Sequence, residues 1–154
     1  CTRTIPVAEA DAMHARWLQR RPEEYGALTR ERLLAGAFLR AVDYVQALRT
    51  RVMLTRETND AMRAVDALIC ASSMQVACRI DDAAAGAATY ARQARTPFNL
   101  TGLPAMSVPT GFSKAGLPLA MQIVAKPFDE AGIYRIAYAY EQASAWTSRH
   151  PALT

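Results

Sequence analysis

An α/β fold, a mixed β-sheet covered by helices, is predicted by three features of this 154-residue chain. Short apolar runs at residues 67–71, 105–112 and 119–125 have the length and turn-rich flanks of strands. Stripes with helical period lie on both sides of them, over 8–20, 29–64 and from 129 onward. Apolar residues make up 51% and charged residues 21%, which excludes wholesale disorder and collagen-like or coiled-coil arrays.

The first helix is read over residues 8–20, where Ala10, Met13 and Trp17 form an i, i+3/i+4 stripe, His14 and Arg16 face outward, and Pro22 ends the element. Thr29 is a candidate N-cap, with Glu31 in the first turn where the helix dipole favours an acid. Leu34, Phe38, Ala41, Val45, Leu48 and Val52 continue the stripe, and Met62 and Val65 resume it after a polar segment. This reads as one long helix over 29–64, or two in succession, with Gly36 marking a break or a close packing contact.

Residues 67–71, Ala-Leu-Ile-Cys-Ala, suit a buried strand. Residues 83–94 combine an alanine-rich composition with almost no amphipathic stripe, and both a short helix and a loop fit them. In 105–112, Pro109 lacks a ladder donor, so the strand is expected at an edge or bulged there. Ser113-Lys114-Ala115-Gly116 supplies turn chemistry before 119–125, which makes the two a hairpin with a longer loop. Asp129 is suited to N-cap the last helix, whose apolar face is Ile133, Ile136, Ala137, Tyr140 and Ala143, and Pro151 bars its continuation.

A length of 154 suits one domain, expected over 1–154, helical through 1–65 and strand, loop, hairpin and final helix over 66–154. Three strands make a thin sheet for that length. The chain begins with Cys1 and not Met, which fits a processed, tagged or excised piece.

Net charge is +4, from 18 basic and 14 acidic residues, and Lys114 and Lys126 are the only lysines. No basic stripe or interleaved aromatics of a nucleic-acid reader is present. The longest uncharged stretch, 96–113, is broken by Pro97, Gly102, Pro104, Pro109 and Gly111 and cannot be one membrane helix. No signal peptide is visible. Cys1, Cys70 and Cys78 form no CxxC pair, His14 and His150 lie at opposite ends, and no Cys/His cluster has zinc spacing. Neither a metal nor a cofactor is expected, Cys70 reads as a buried small hydrophobe, and a reducing, cytoplasmic compartment is the simpler assumption.

The most specific part of the chain is Thr96-Pro97-Phe98-Asn99-Leu100-Thr101-Gly102-Leu103-Pro104-Ala105, followed by Ser107-Val108-Pro109, Gly111-Phe112, Gly116-Leu117-Pro118 and Gln122-Ile123. With Phe128-Asp129-Glu130, and Ala139-Tyr140-Glu141-Gln142 to Trp146, it resembles the C-terminal part of amidase signature family enzymes. Upstream, Tyr25-Gly26, Arg32-Leu33-Leu34, Gly36, Asp43-Tyr44 and Asp66-Ala67-Leu68-Ile69 also match, so the resemblance covers nearly the whole chain.

The physics of these positions is mostly structural. Asn99 and Thr101 suit local side-chain-to-backbone hydrogen bonds at a turn. Gly102 permits a positive φ or a close backbone approach. Pro104 and Pro109 stiffen the strand they flank, and Gln122 completes the motif set. Asn99-Leu100-Thr101 also matches a glycosylation sequon, though nothing indicates secretion.

The resemblance implies amide hydrolysis by a serine nucleophile, a second serine in a cis peptide and a lysine base, with the nucleophile in a Gly/Ser-rich stretch N-terminal of what this chain contains. Neither Lys114 nor Lys126 matches that lysine, and Ser72-Ser73 matches a loop after the Asp-x-Leu strand. This chain is therefore expected to be the C-terminal portion of the amidase signature fold, inactive alone, with no catalytic residue of its own. It supplies strands, packing helices and one wall of the pocket for a small-molecule amide. No nucleic acid and no membrane is expected as a partner; a homodimer, or the missing N-terminal part, covers the exposed sheet. Arg32 is the candidate substrate-binding residue, a guanidinium suited to bidentate carboxylate recognition.

Departures from the family pattern matter too. Ala71 and Met74 replace usual prolines, and Ala120 and Ala125 replace glycines, which questions tight backbone packing along that strand. Arg92 stands where the family's tRNA-dependent glutamine amidotransferases have an acidic residue, and its charge repels a glutamine amino group. The family subunit of such an amidotransferase, and a truncated homologue acting as an interaction domain, are the alternative readings.

Overall fold

The structure, a computed structural model, describes residues 1–91 and 93–149. They form two compact units, Cys1–Arg56 and Glu57–Thr154. His150, Pro151 and Arg92, singled out above, lie outside the described residues.

In the first unit, helix α1 (Thr4–Arg20) packs on α2 (Ala27–Leu34) and on the 3₁₀ turn Ala35–Phe38 that follows it. The buried face of α1 carries Ile5 and Leu18, with Ala8, Asp11, His14 and Ala15 half-buried between them. This corrects the expected face: Met13 is 77% and Trp17 52% exposed. Both stripes have helical spacing, and the one that packs is the one Gly36 admits, because Gly36 lies against Asp11 Cβ and the Val7 carbonyl. His14 therefore faces inward, its Nδ1 2.9 Å from the Tyr25 hydroxyl.

Helix α2 starts before Thr29. Gly26 is its N-cap, with extended backbone (ψ 141°), and its carbonyl accepts the Arg30 amide. The expected long helix is broken once, at Ala35–Phe38, and α3 runs over Ala41–Met62, straight through the polar segment at 55–60. Arg40 clamps Asp43 in the first turn of α3 through two hydrogen bonds, 2.7 and 2.9 Å.

The second unit is built on a three-stranded sheet in the order β1 (Ala67–Ala71), β3 (Pro118–Ala125), β2 (Ala105–Phe112). Both pairings are antiparallel, so no parallel pair of a mixed sheet forms within the described residues. Strand β2 is an edge, and its register with β3 slips between Pro109 and Gly111. The proline thus sits on an edge strand beside an irregularity, as its missing donor requires. The hairpin closes through Ser113, whose amide donates to Leu117 O (2.8 Å) and whose hydroxyl accepts the Leu117 amide.

Alternation along the strands divides the sheet into two faces. On one, Ile123 and Ala125 pack with Ile133 and Ala137 of α6 (Glu130–Ala143). Ala125 is fully buried there, so an alanine is accommodated at that position. On the other, Val124 packs with Met62, Phe98 and Leu103. Asp129 caps α6 by accepting the Gly132 amide at 3.0 Å. The last apolar position expected for this helix, Ala143, is exposed. Strand β1 is not buried as expected: it is the other edge, and Leu68 and Ile69 are 40% and 58% exposed. A strand apolar on both faces needs cover on both, and the described residues provide only part of it. Of residues 83–94, which fit either a short helix or a loop by sequence, Ala83–Ala91 form the helix α4, with Asp82 accepting the Ala85 amide at its start.

Candidate functional site

The central strand places one buried polar side chain, Gln122, in the middle of the sheet. In register it stands between Cys70 of β1 and Ser107 of β2. The Cys70 thiol donates to Gln122 Oε1 over 3.8 Å, and burial raises the thiol's pKa above its usual value. One step further, Ser107 Oγ donates to Ser72 Oγ at 3.1 Å. By strand alternation this polar row shares the face of Val124 and interrupts the apolar cluster of Met62, Phe98 and Leu103.

Past the row lies a cavity of about 560 Å³, walled by the segment after β1, by the start of β3, and by Thr89, Gln93 and Arg95. The Thr89 hydroxyl donates to Gln75 Oε1 at 3.0 Å, and Gln93 Nε2 donates to the Thr89 carbonyl at 2.7 Å. A smaller and more apolar hollow of about 260 Å³ lies between β2 and α6, lined by Met106, Val108, Tyr134 and Tyr138.

The segment from 96 to 104 frames the first site structurally. It forms a helix, α5 (Thr96–Thr101), where a turn was expected. Thr101 Oγ1 donates to the Pro97 carbonyl at 3.0 Å, the local bond expected of it. Asn99 is exposed on α5. Gly102 ends the helix in the left-handed region (φ 76°), its amide donating to Phe98 O at 2.8 Å. A glycine at that position is the usual helix stop, and no atom lies close to where a Cβ would point. Pro104 precedes β2, and its carbonyl receives the Ala125 amide at 3.1 Å. Of the motif residues, then, Gln122 and Ser107 belong to the polar row, while Thr101, Gly102 and Pro104 shape the chain beside it.

Arg32 is exposed in the last turn of α2, in the first unit. Lys114 is exposed in the hairpin loop and Lys126 is half-buried just after β3. Among the described residues no base is hydrogen-bonded to Ser72 or Ser107. No group of three His, Cys, Asp or Glu side chains among the described residues is placed to hold a metal. No described helix is long and apolar enough to cross a membrane.

Sequence reading did not single out Arg95 or Gln93. The signal was slight: Arg95 is the last charge before the uncharged stretch that opens at Thr96.

Comparison with known proteins gives a consistent result. A family model described as Amidase matches residues 3–133. The chain is 38% identical over 143 residues to a glutamyl-tRNA(Gln) amidotransferase subunit from Granulibacter bethesdensis, covering 86% of this chain and 28% of that protein. It is 36% identical over 157 residues to an amidase from Pseudomonas putida, covering 97% of this chain and 34% of the relative. A crystal structure of an amidase superposes with a TM-score of 0.76 at 26% identity, covering 89% of this chain and 33% of that one. The chain thus spans about a third of the length of the relatives it matches.

Proposed function

Because the chain belongs to the amidase signature family, we propose that it works as the C-terminal segment of an enzyme that hydrolyses carboxylic amides. The serine nucleophile, the cis-peptide serine and the lysine base lie outside this chain in that reading. The observation that carries it is the family match over most of the chain, joined to a site whose serines have no base beside them among the described residues.

What this segment contributes is scaffold and one wall. The hairpin and α6 form a two-layer platform, and Ser72, the end of the polar row, lines the 560 Å³ cavity, which in this reading faces a small amide substrate. Exposed Leu68 and Ile69 on the free edge of β1 support a sheet continued by further strands of the same protein, or by a second copy. Arg32 is the proposed contact for an acidic substrate group in the intact enzyme. All three cysteines are free, which suits a cytoplasmic setting.

An amide hydrolysis assay tests the reading. The full-length protein carrying this segment is expected to turn over primary amides, and the 154-residue chain alone is not. Serine-dependent turnover by the isolated chain sinks the assignment of the catalytic residues.

The likeness to a glutamyl-tRNA(Gln) amidotransferase supports a second reading, a component that works within a larger complex. Copurification of partner proteins with the full-length protein selects it.

A further inference from the structure

We propose that the hollow between β2 and α6 binds a quaternary ammonium group, held by the rings of Tyr134 and Tyr138 and by the Glu141 carboxylate. The hollow shares no lining residue with the cavity beside β3. Its test reads binding and not turnover, so it stands apart from the hydrolase reading.

One face of α6 builds one wall. Tyr134, Ala137, Tyr138 and Glu141 recur at i, i+3, i+4 and i+7, the spacing of a single helix face, and all four line the hollow. Ala137 is buried against Ile123 and Ala125, whereas Tyr134 and Tyr138 are 65% and 64% exposed. The core therefore uses little of either ring, and the small alanine between them gives the hollow its depth. The facing wall is Met106 and Val108 of β2, which stand opposite Ile123 and Met121 in the ladder and so share the face that α6 covers.

Charge selects the occupant. Glu141 is the one charged side chain among the described residues that line the hollow, and the ion pairs of the described residues leave it out. Aromatic faces carry the negative part of the ring quadrupole, so the tyrosines and the carboxylate favour the same sign of ligand charge. This negative patch sits on a chain whose net charge is +4. A primary ammonium brings three N–H donors that each need an acceptor, and the side chains of Met106, Val108 and Pro109 offer only a weak thioether. A quaternary ammonium has no donor to satisfy, and its methyl groups suit aromatic faces and an apolar wall alike. A volume of about 260 Å³ falls below the roughly 300–1,000 Å³ of drug-sized sites, which fits a head group.

The test titrates choline and its neutral isostere 3,3-dimethylbutan-1-ol into the full-length protein, with dissociation constants read by saturation-transfer NMR. Choline is expected to bind about 5–30-fold more tightly than the alcohol. Tyr138→Leu, which keeps apolar volume and loses the ring face, and Glu141→Gln are each expected to weaken choline about 3–10-fold. Tyr138→Phe keeps the ring and is expected to stay within about twofold. Circular dichroism verifies that the variants fold. Phosphatidylcholine vesicles separate the two sources of the group: cosedimentation that Glu141→Gln abolishes assigns a lipid head group, and choline binding without cosedimentation assigns a free ligand. Equal affinity for choline and the alcohol, no choline binding, or choline binding that Tyr138→Leu and Glu141→Gln leave intact overturns the proposal. A failure of amide turnover leaves these binding constants, and so the site, untouched.

Discussion

Gln122 Oε1 accepts the Cys70 thiol across the β1–β3 ladder at 3.8 Å, beside the hydroxyl pair of Ser107 and Ser72. The bond is weak, and Gln122 holds its place by packing as much as by that contact. Gln122→Ala removes buried volume from the central strand and is expected to cost about 1–3 kcal/mol. Cys70→Ala forfeits only a half-buried sulfur and a weak donor, and is expected to cost about 1 kcal/mol or less. Urea unfolding of the two variants measures the difference, and a larger loss at Cys70 than at Gln122 contradicts the packing assignment.

The same burial sets thiol chemistry. The neutral form of Cys70 is favoured in the fold, so its pKa is raised. The sign follows directly: the fold is not penalised while the thiol is neutral, below the unfolded thiol's value of about 8.5, and it loses stability as pH rises toward the higher folded value. Cys78, by contrast, is exposed. Iodoacetamide at pH 8 is expected to label Cys78 well before Cys70, as peptide mapping by mass spectrometry reads out. Cys70→Ala is expected to flatten the alkaline decline in stability.

Asp129 satisfies the Gly132 amide at the start of α6, the helix that covers Ile123 and Ala125. Asp129→Ala removes that cap and is expected to cost about 0.5–2 kcal/mol. Asp129→Asn keeps an acceptor oxygen and loses only the favourable charge at the helix N-terminus, about 0.3–1 kcal/mol. Denaturant midpoints read on Trp146 measure both, since Trp146 packs against Phe112 at the end of the hairpin in the same unit. Equal losses for the two substitutions remove the hydrogen bond from the account.

How far the sequence discloses this architecture depends on the element. The strands are legible because local chemistry bounds them: Asp66 and Ser72 flank β1, Pro104 precedes β2, and the hairpin turn separates β2 from β3. Pro109 discloses an edge or a bulge, the places that tolerate a missing donor, and β2 has both. The buried face of α1 is not legible, since Met13 with Trp17 and Ile5 with Leu18 both obey helical spacing and only the docking partner chooses. The start of α2 is missed for a related reason: Thr29 has the better capping chemistry, yet Gly26 has the backbone that turns the chain into the helix. At the candidate site, Gln122 is visible as part of a motif. Arg95 is not, because its meaning comes from a cavity assembled by residues some 20 positions upstream and downstream of it.

Gly36 carries the sharpest steric prediction. A Cβ there would lie 2.6 Å from the Val7 carbonyl oxygen and closer still to Asp11 Cβ. The carbonyl belongs to the backbone of α1 and cannot swing aside, so an added methyl must push α1 away from the 3₁₀ turn at Ala35–Phe38. Overpacking of this kind typically costs about 1–3 kcal/mol, more than the helix propensity that alanine gains over glycine, about 1 kcal/mol. Gly36→Ala is therefore expected to destabilise the first unit, and Trp17, on α1, reports it once Trp146 is replaced by Phe. An unchanged or raised Trp17 midpoint means that α1 does not dock at Gly36. The register in which Ile5 and Leu18 are buried then fails with it.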